Sequence, residues 1–288
     1  MSSATPRQRQ RRFSKILGRR ILLYAAVILI CAVFIFPLYW MVLISIIPAR
    51  DAFKFPPYFF PSHLRLDAYI DVLRQQPILI WAKNSLIISL GTTALTLVLS
   101  IPGAYALSRR GWRGRAGLGF GLLITQMIPS ALLLIPIYII FKNLGLLGSL
   151  QGLIIADSAL TVPIAIWVLK GFFDNIPSEV LEAAVVDGCD EIGVLVRIVA
   201  PMSTTAFVAV GVVSFFTSWD EYVFSSTFVT SQSLRVFAVG ISSFIGEMTT
   251  PIDLIFAGSA LFVIPPLVFY LLVERYLIAG FSAGAVKG

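Results

Sequence analysis

The sequence predicts an all-α membrane protein with six transmembrane helices, whose N-terminus and C-terminus both lie in the cytoplasm. Composition is the first indication: 58% of the 288 residues are hydrophobic and 13% are charged, whereas a soluble domain carries about 25% charged residues. The second indication is a series of six apolar stretches, each close to the roughly 20 residues that a helix needs to cross the hydrocarbon core. The third is an uneven distribution of Lys and Arg among the loops.

The six predicted spans are uncharged except for Asp157 in the fourth. They are long continuous apolar runs, which favours helices over the short alternating segments of a β-barrel. In chain order they are residues 21–47, 85–107, 116–141, 144–169, 198–219 and 254–273. The first exceeds the apolar region of a signal peptide, and no small-residue cleavage site follows it, so we expect it to be retained.

Positive charge predicts the orientation. Seven Lys and Arg precede residue 21, and four of the eight residues 108–115 are Arg. The positive-inside rule assigns both segments to the cytoplasm, so residues 171–202 and the C-terminus lie on that side as well. The outer loop 48–84 holds five Lys and Arg, but it is long and also carries three Asp. We therefore expect a basic cytoplasmic tail, residues 1–20, and a single transmembrane domain, residues 21–288.

Several function classes find no support in the residues. His63 is the only histidine, and the two cysteines, Cys31 and Cys189, have no metal-binding spacing, so no metal site is expected. The net charge of +7 comes with no groove-reading motif, and no nucleic-acid partner is expected. The phosphate-binding pattern G-x-x-x-x-G-K-[ST] is absent from the sequence.

The stretch EAAVVDGCDEIGVLVRIVAP, residues 182–201, differs from the apolar spans around it. A helix is expected to begin at Pro177, with Glu179 and Glu182 favoured near its positive end. Gly188 is expected to end it, and Asp190 to cap a second helix that runs to Pro201. The apolar residues of the first helix form a stripe, namely Val180, Leu181, Ala184 and Val185.

Two interpretations of this helical corner remain open. It can insert into a groove of a partner protein, or it can lie on the membrane surface or against its own loops. A surface helix would favour Lys and Arg for contact with anionic lipid. This loop instead carries six acidic residues, Asp174, Glu179, Glu182, Asp187, Asp190 and Glu191, against Lys170 and Arg197. The acidity favours a protein partner with basic groups.

The same stretch resembles the EAA loop in the membrane subunits of binding-protein-dependent ABC importers. The resemblance rests on residues at matching spacing, namely Glu182, Ala183, Ala184, Gly188, Ile198 and Pro201. Two positions depart from the usual pattern: Ala200 stands where leucine is common, and Cys189 replaces a small residue.

A wider part of the chain, about residues 80–288, resembles the sugar-type permeases similar to the smaller maltose-transporter membrane subunit. One segment departs slightly, because Asp220 stands where that branch commonly has asparagine. The matching segments are NSL, GAYALSRRGWRGR, IPIYIIFKNLGLLGSLQGLI, GFFDNIPSEVLEAA, SWDEYVF and RYLIAGFSAGAVKG.

The resemblance implies a non-catalytic inner membrane subunit without a cofactor of its own. Its partners would be a second permease subunit, two ATPase subunits that bind the ATP, an extracytoplasmic solute-binding protein, membrane lipid and a sugar substrate. Glu182 would pair with the ATPase, Ala183 and Ala184 would pack closely, and Gly188, beside Asp187, would provide the bend. The outer loop 228–253 would face the binding protein.

Five residues are candidates for the substrate path. For Asp157 and Gln126 three roles remain open: a hydrogen bond to a neighbouring helix, a proton or cation relay, or a lining of the path. Asp220 and Glu221 either line the route near its outer mouth or mark the membrane interface. Trp219 either stacks on a sugar ring or, as we favour, anchors at the interface.

Two other classes of function compete with this interpretation. A secondary transporter driven by an ion gradient would show repeated halves and paired acids near the bilayer centre, whereas the spans hold one isolated acid and no repeat is apparent. A membrane enzyme would need paired catalytic groups, and the spans offer none.

Overall fold

A computed structural model of the chain is helical. It describes residues 6–61, 64–109, 111–244 and 252–285, and the side chains of these except in 6–17 and 278–285. Within those ranges no β-strand occurs. His63 and residues 245–251 of the outer loop lie outside the described residues. The predicted all-α class is confirmed.

The chain divides into two compact units. One comprises Met1–Val72 with Pro251–Ala260, and the other Leu73–Thr250 with Leu261–Gly288. The predicted division into a basic tail and a single transmembrane domain rests on charge and hydropathy, and it stays a prediction.

The first unit is built on one long helix, α1 (Pro6–Ser45), which includes the candidate span Gly18–Ser45. No Pro or Gly interrupts residues 7–17, so the helix extends through the basic tail. After a 3₁₀ turn at Ala49–Asp51 the chain returns in α2 (Asp67–Gln75). Leu43, Ile44 and Ile47 form a small core with Phe256. The Ser45 hydroxyl lies 2.7 Å from the Tyr69 hydroxyl.

The second unit contains the remaining helices. They are α3 (Ile78–Arg109), α4 (Arg115–Thr125), α5 (Ser130–Asn143), α6 (Leu150–Asp174), α7 (Ser178–Val186), α8 (Glu191–Val194), α9 (Ala200–Met202), α10 (Thr204–Trp219), α11 (Val223–Phe228) and α12 (Phe237–Ser242). A π-helical turn, Leu195–Val199, joins α8 to α9, and a 3₁₀ turn lies at Gln232–Leu234. The last helix, α13 (Ile252–Ala285), contributes residues to both units.

Helices α3, α6 and α10 pack together through small polar side chains. The α3 residues on this face are fully buried or nearly so, and they recur at helical spacing: Ser85, Ser89, Thr92, Thr96 and Ser100. The Thr96 hydroxyl lies 2.6 Å from the Thr161 hydroxyl of α6. A methyl group on Gly103 would lie 3.0 Å from Ile166 Cδ1, so α3 and α6 approach closely. Small residues at such a contact are typical of membrane helices.

Four of the six predicted spans each overlap one helix that is long and apolar enough to cross a membrane. These helices are Gly18–Ser45, Ile78–Arg109, Leu150–Asp174 and Ile252–Leu277. The other two are bent pairs. Arg115–Thr125 and Ser130–Asn143 meet at 101°, and Glu191–Met202 and Thr204–Trp219 meet at 78°. The described residues therefore give four to six spans, depending on whether each bent pair crosses once.

Both bends fall within apolar runs that hydropathy alone assigns to one span each, the third and the fifth. Pro129 precedes α5 with an extended ψ of 130°, and it has no N–H with which to continue the hydrogen-bond ladder. Ser203, at the second bend, has φ −106° and ψ 14°, outside the helical region.

Candidate functional site: the helical corner and the polar interior

The predicted corner between two short helices is confirmed. Helix α7 ends at Val186, and Gly188 has φ +88°, the left-handed conformation that favours glycine. The Cys189 N–H donates to the carbonyl of Ala184 at 2.9 Å, so this carbonyl in the last turn of the helix has a hydrogen-bond partner. The Asp190 carboxylate then accepts from the N–H of Gly193 at 2.8 Å, as an N-cap residue does.

The second helix is less regular than predicted. Helix α8 has four residues, and the five-residue π turn Leu195–Val199 follows it before α9. Pro201 has no N–H, so the ordinary ladder cannot pass through it, and the chain adopts a wider turn instead. Ile198 is half-buried and Pro201 is exposed.

One face of the corner packs on its own chain. Ala184 is 6% exposed and belongs to a core cluster with Val194, Val199, Leu169 and Phe173. The close packing expected of Ala184 is therefore made within its own chain, against α6 and the second short helix. The predicted apolar stripe divides at this point, because Leu181 also packs against the core while Val185 faces outward.

The opposite face of the corner is exposed and mixes apolar with acidic side chains. Glu182, Ala183, Asp187 and Gly188 are all exposed. The apolar side chains on this side are also largely exposed: Val185 60%, Val186 87%, Ile192 71% and Val196 59%. An apolar surface of this kind, surrounded by charge, is typical of a contact site for another protein.

A cavity of about 550 Å³ lies between the corner and the end of α3. Its lining includes Tyr105, Arg109, Leu181, Glu182 and Val186. The Arg109 guanidinium donates to the Ile176 carbonyl at 2.7 Å, and also to the Phe173 carbonyl. This role of Arg109 was not among the residue roles predicted from the sequence. Its position at the end of a span, before a helix C-terminus that favours cations, was the available signal.

Asp157 lies where α3, α6 and α10 meet. It is 2% exposed, and its Oδ2 accepts a hydrogen bond from the Ser218 hydroxyl at 2.6 Å. Ser218 also lies 3.3 Å from the Thr92 hydroxyl of α3. Of the roles left open, this geometry fits the hydrogen bond to a neighbouring helix, and Oδ1 has no partner among the described residues.

Gln126 and Glu221 both bond to backbone atoms. Gln126, at the bend after α4, donates from Nε2 to the Leu160 carbonyl at 3.2 Å. Glu221 accepts from the N–H groups of Phe224 and Ser225 at 2.7 and 2.9 Å, so it caps α11. Asp220 as a whole residue is exposed. Its carboxyl group is nevertheless partly desolvated by neighbouring atoms, and this raises its pKa.

Trp219 has neither of the two environments predicted for it, a sugar-stacking surface or the membrane interface. It is 1% exposed and stacks on Phe215 at 5.9 Å, with Phe262 at 5.4 Å on another side. The indole therefore has no free face for a sugar ring and no contact with the membrane interface. Its burial was not predictable from the sequence, because the adjacent polar residues Asp220 and Glu221 indicated an exposed position.

Long-range contacts hold the segment after α11 against the start of α3. Asn84 donates from Nδ2 to the carbonyls of Ser233 and Arg235, both at 3.0 Å. The Ser85 hydroxyl accepts from the N–H of Phe237 at 2.9 Å. Among the described residues, no group of three or more His, Cys, Asp and Glu side chains is placed to hold a metal ion.

Comparison with known proteins gives a consistent result. Residues 97–282 match the family described as binding-protein-dependent transport system inner membrane component. The chain is 31% identical over 271 residues, 93% of this chain and 97% of the relative, to the inner membrane ABC transporter permease protein YcjP of Escherichia coli strain K12. It is also 31% identical over 278 residues, 94% and 98% of the two chains, to the trehalose/maltose transport system permease protein MalG of Thermococcus litoralis.

A third relative and a solved structure extend the comparison. The sulfoquinovosyl glycerol transport system permease protein SmoH of Agrobacterium fabrum is 30% identical over 254 residues, 88% of this chain and 89% of that one. The crystal structure of a bacterial ABC transporter involved in the import of the acidic polysaccharide alginate contains a chain with the same fold. The two superpose with a TM-score of 0.76 at 20% identity, covering 96% and 99% of the respective chains.

Proposed function

Because this chain belongs to the family of binding-protein-dependent transport system inner membrane components, we propose that its helical corner transmits the movement of a partner ATPase to the membrane helices. The chain is a multi-pass inner membrane permease subunit of an ABC importer, and it is a transport component rather than an enzyme. Its solute class is sugars, which the relatives named for trehalose/maltose and for sulfoquinovosyl glycerol support.

The partners follow from this assignment in general terms. An importer of this family works with an ATPase, a second permease subunit and a solute-binding protein. We propose two ATPase subunits, which bind the ATP, and an extracytoplasmic binding protein that delivers the sugar. The competing proposal, a secondary transporter driven by an ion gradient, is not favoured, because Asp157, the one fully buried acid among the described residues of the second unit, is already bonded to a neighbouring helix.

The observation that carries the proposal is the exposed face of the corner. Val186, 87% exposed, and Ile192, 71% exposed, present apolar surface beside Glu182 and Asp187. A lipid-binding surface helix would pair such apolar residues with Lys and Arg. Apolar residues surrounded by carboxylates suit instead a cleft with an apolar floor and a basic rim.

The buried face of the corner supports the transmission of movement. Ala184 and Val194 share one core with Phe173 of α6 and Ala104 of α3. Well-packed cores resist deformation, so a force applied to Val186 would displace the ends of α3 and α6 together with α7. The irregular turn Leu195–Val199 and the bend at Ser203 join the same corner to α10.

Among the substrate-path candidates, Asp220 and Gln126 remain proposals. Asp220 is exposed at the end of α10. Gln126 is exposed at a bend, and its amide oxygen accepts no hydrogen bond from the described residues. Asp157, Trp219 and Glu221 are occupied by contacts within the chain, so we propose structural roles for them.

The test is co-purification of the ATPase with the tagged chain from its own host. An unpaired charge in a contact surface costs more than about 1.4 kcal/mol, which is about tenfold in affinity. We therefore expect Glu182→Lys and Val186→Asp each to reduce the recovered ATPase about tenfold or more. Gly188→Ala should also reduce it, because an L-residue in the left-handed region costs about 1–2 kcal/mol.

The matched control is Glu179→Lys. It makes the same change of charge in α7, but Glu179 does not line the cavity that Glu182 and Val186 share, so a smaller loss is expected. Equal recovery of ATPase from all four variants would contradict the proposal. So would a chain that purifies alone and moves sugar into liposomes under an ion gradient.

A further inference from the structure

A second cavity lies at the same end of the molecule, on the other side of Arg109. It has a volume of about 680 Å³ and separates the end of α3 from the start of α4 and the end of α6. The cavity is amphipathic, with a charged end and an apolar end. Its lining includes Arg109, Arg115, Lys170 and Asp174 at one end, and Phe120 and Leu123 at the other.

The charged end has an excess of cations. Asp174 is the one acid in the lining, and it already accepts hydrogen bonds from Lys170 Nζ and Ser108 Oγ, each at 2.6 Å. Arg109 is bound to backbone carbonyls, and its Nε is buried without a partner among the described residues. Arg115 is exposed and forms no ion pair with any described residue. The described lining of this cavity therefore holds three cationic side chains and one carboxylate.

The apolar end is continuous with the exposed side of α4. Phe120 is 64% exposed and Leu123 is 37% exposed, and both line the cavity. The Trp167 indole, which also lines the cavity, donates to the Gly119 carbonyl at 2.9 Å and so joins α4 to α6. A ligand that fills this cavity must place an anionic group beside Arg115 and hydrocarbon beside Phe120.

The residues beside the cavity are of the types that membrane proteins place at the level of the lipid headgroups. Trp112 is 39% exposed, and Arg113 is exposed beside it. Trp concentrates at the membrane–water interface and Arg in the cytoplasmic loops, and basic pockets between membrane helices on the cytoplasmic side bind anionic headgroups. From Arg115 onward α4 is apolar, so it leads from that level toward the hydrocarbon core.

We propose that this cavity binds an anionic phospholipid of the cytoplasmic leaflet. Arg115 and Lys170 hold the phosphate of its glycerophosphate headgroup, and the buried Arg109 supplies further positive potential. The first part of an acyl chain lies along Phe120 and Leu123. A volume of about 680 Å³ accommodates such a group, since ligand sites span about 300–1,000 Å³. The bound lipid then joins α4 to the ends of α3 and α6.

The test uses the chain purified in detergent with whichever subunits accompany it, stripped of lipid. Phosphatidylglycerol is added, and the lipid retained per chain is counted by native mass spectrometry alongside the shift in melting temperature. We expect Arg115→Ala to weaken binding about fivefold, the effect of about one basic residue near an anionic lipid surface. Arg115→Lys should restore most of the binding, and Phe120→Ala should weaken it while the charge stays unchanged.

The control variant is Arg113→Ala, which removes an exposed Arg two residues away that does not line the cavity. Equal losses from Arg113→Ala and Arg115→Ala would overturn the proposal, because they would indicate diffuse attraction to anionic lipid. Glycerol 3-phosphate at the same concentration should give no shift. A shift as large as that of phosphatidylglycerol would indicate a soluble phosphate ligand and overturn the lipid assignment. None of these readouts depends on an ATPase being bound.

Discussion

At the scale of single residues, Asp157 illustrates how a polar group is accommodated among packed helices. Its only described side-chain partner is Ser218 on α10, at 2.6 Å. Because interhelical hydrogen bonds of this kind contribute about 0.6 kcal/mol on average in membrane proteins, the contact is modest in energy. It nevertheless fixes which faces of α6 and α10 meet.

This geometry leads to a prediction for Asp157→Asn. The amide oxygen of asparagine can still accept the Ser218 hydrogen bond, so we expect sugar uptake to be retained and the free energy of unfolding to fall by about 1 kcal/mol or less. Ser218→Ala should cost about 0.6 kcal/mol alone and less in an Asp157→Leu background, where only the longer contact with Thr92 remains to be lost. Uptake assays and thermal unfolding in detergent measure the two quantities.

The control is Ser158→Ala. Ser158 is also buried on α6, but its hydroxyl donates to the Ile154 carbonyl of its own helix at 2.6 Å, so its loss should show no coupling to Asp157. Abolished uptake in a well-folded Asp157→Asn protein would contradict the structural role and support a proton relay.

Local backbone conformation was easier to predict from the sequence than the burial of individual side chains. Gly188 and Asp190 were predictable because a positive φ and an N-cap are local requirements of a few neighbouring residues. Ala184 and Trp219 were not, since their burial depends on Phe173 of α6 and Phe262 of α13, which other helices bring to them.

At the scale of elements, the two bends are features that a hydropathy pattern does not predict. An apolar run of the right length is compatible with one helix or with two. Met127 and Ile128 are as apolar as any span residue, yet the chain turns by 101° around them. Pro129 was a visible signal, but a proline inside a membrane helix often leaves it continuous, so the angle was not predictable.

The packing of α12 against α3 gives a prediction for Gly240→Ala. A methyl group on Gly240 would overlap the ring of Trp81, which is fully buried. Overpacking of this kind costs about 1–3 kcal/mol, so we expect a lower melting temperature for the purified chain. Trp81→Leu should make room for the methyl group, and the added cost of Gly240→Ala in that background should be smaller.

Gly211→Ala is the matched control, because its methyl group would lie 3.6 Å from Thr93 Cγ2, an ordinary contact. A cost for Gly240→Ala no greater than that for Gly211→Ala would show that α12 moves freely away from Trp81.

At the scale of the whole molecule, the sequence predicted the all-α class, the apolar segments and the family. Those depend on composition, segment length and a spaced motif, which are properties of the chain itself. The N-in, C-in orientation comes from the positive-inside rule and stays a prediction. Contacts such as Asn84 with Ser233 join residues 149 positions apart, and no local pattern encodes them.

The orientation predicts the labelling of two single-cysteine variants. In a background with Cys31→Ser and Cys189→Ser, we expect Asp187→Cys to react with a membrane-impermeant maleimide only from the cytoplasmic side. Ser231→Cys should react only from the outer side. Both positions are exposed, so accessibility does not limit the reaction. Labelling of both from the same side would refute the predicted topology.

The long-range bonds of α3 also have a consequence for synthesis. Asn84 can bond to the Arg235 carbonyl only after a further 151 residues have been synthesised. At about 5–20 residues per second, this synthesis takes about 8–30 s. Until then the amide of Asn84 and the hydroxyls of Ser85 and Thr92 have none of their final partners on α10 and beyond. The polar face of α3 is therefore without its final partners while the ribosome synthesises the rest of the chain. During that time either the insertion machinery or an earlier helix has to cover this face.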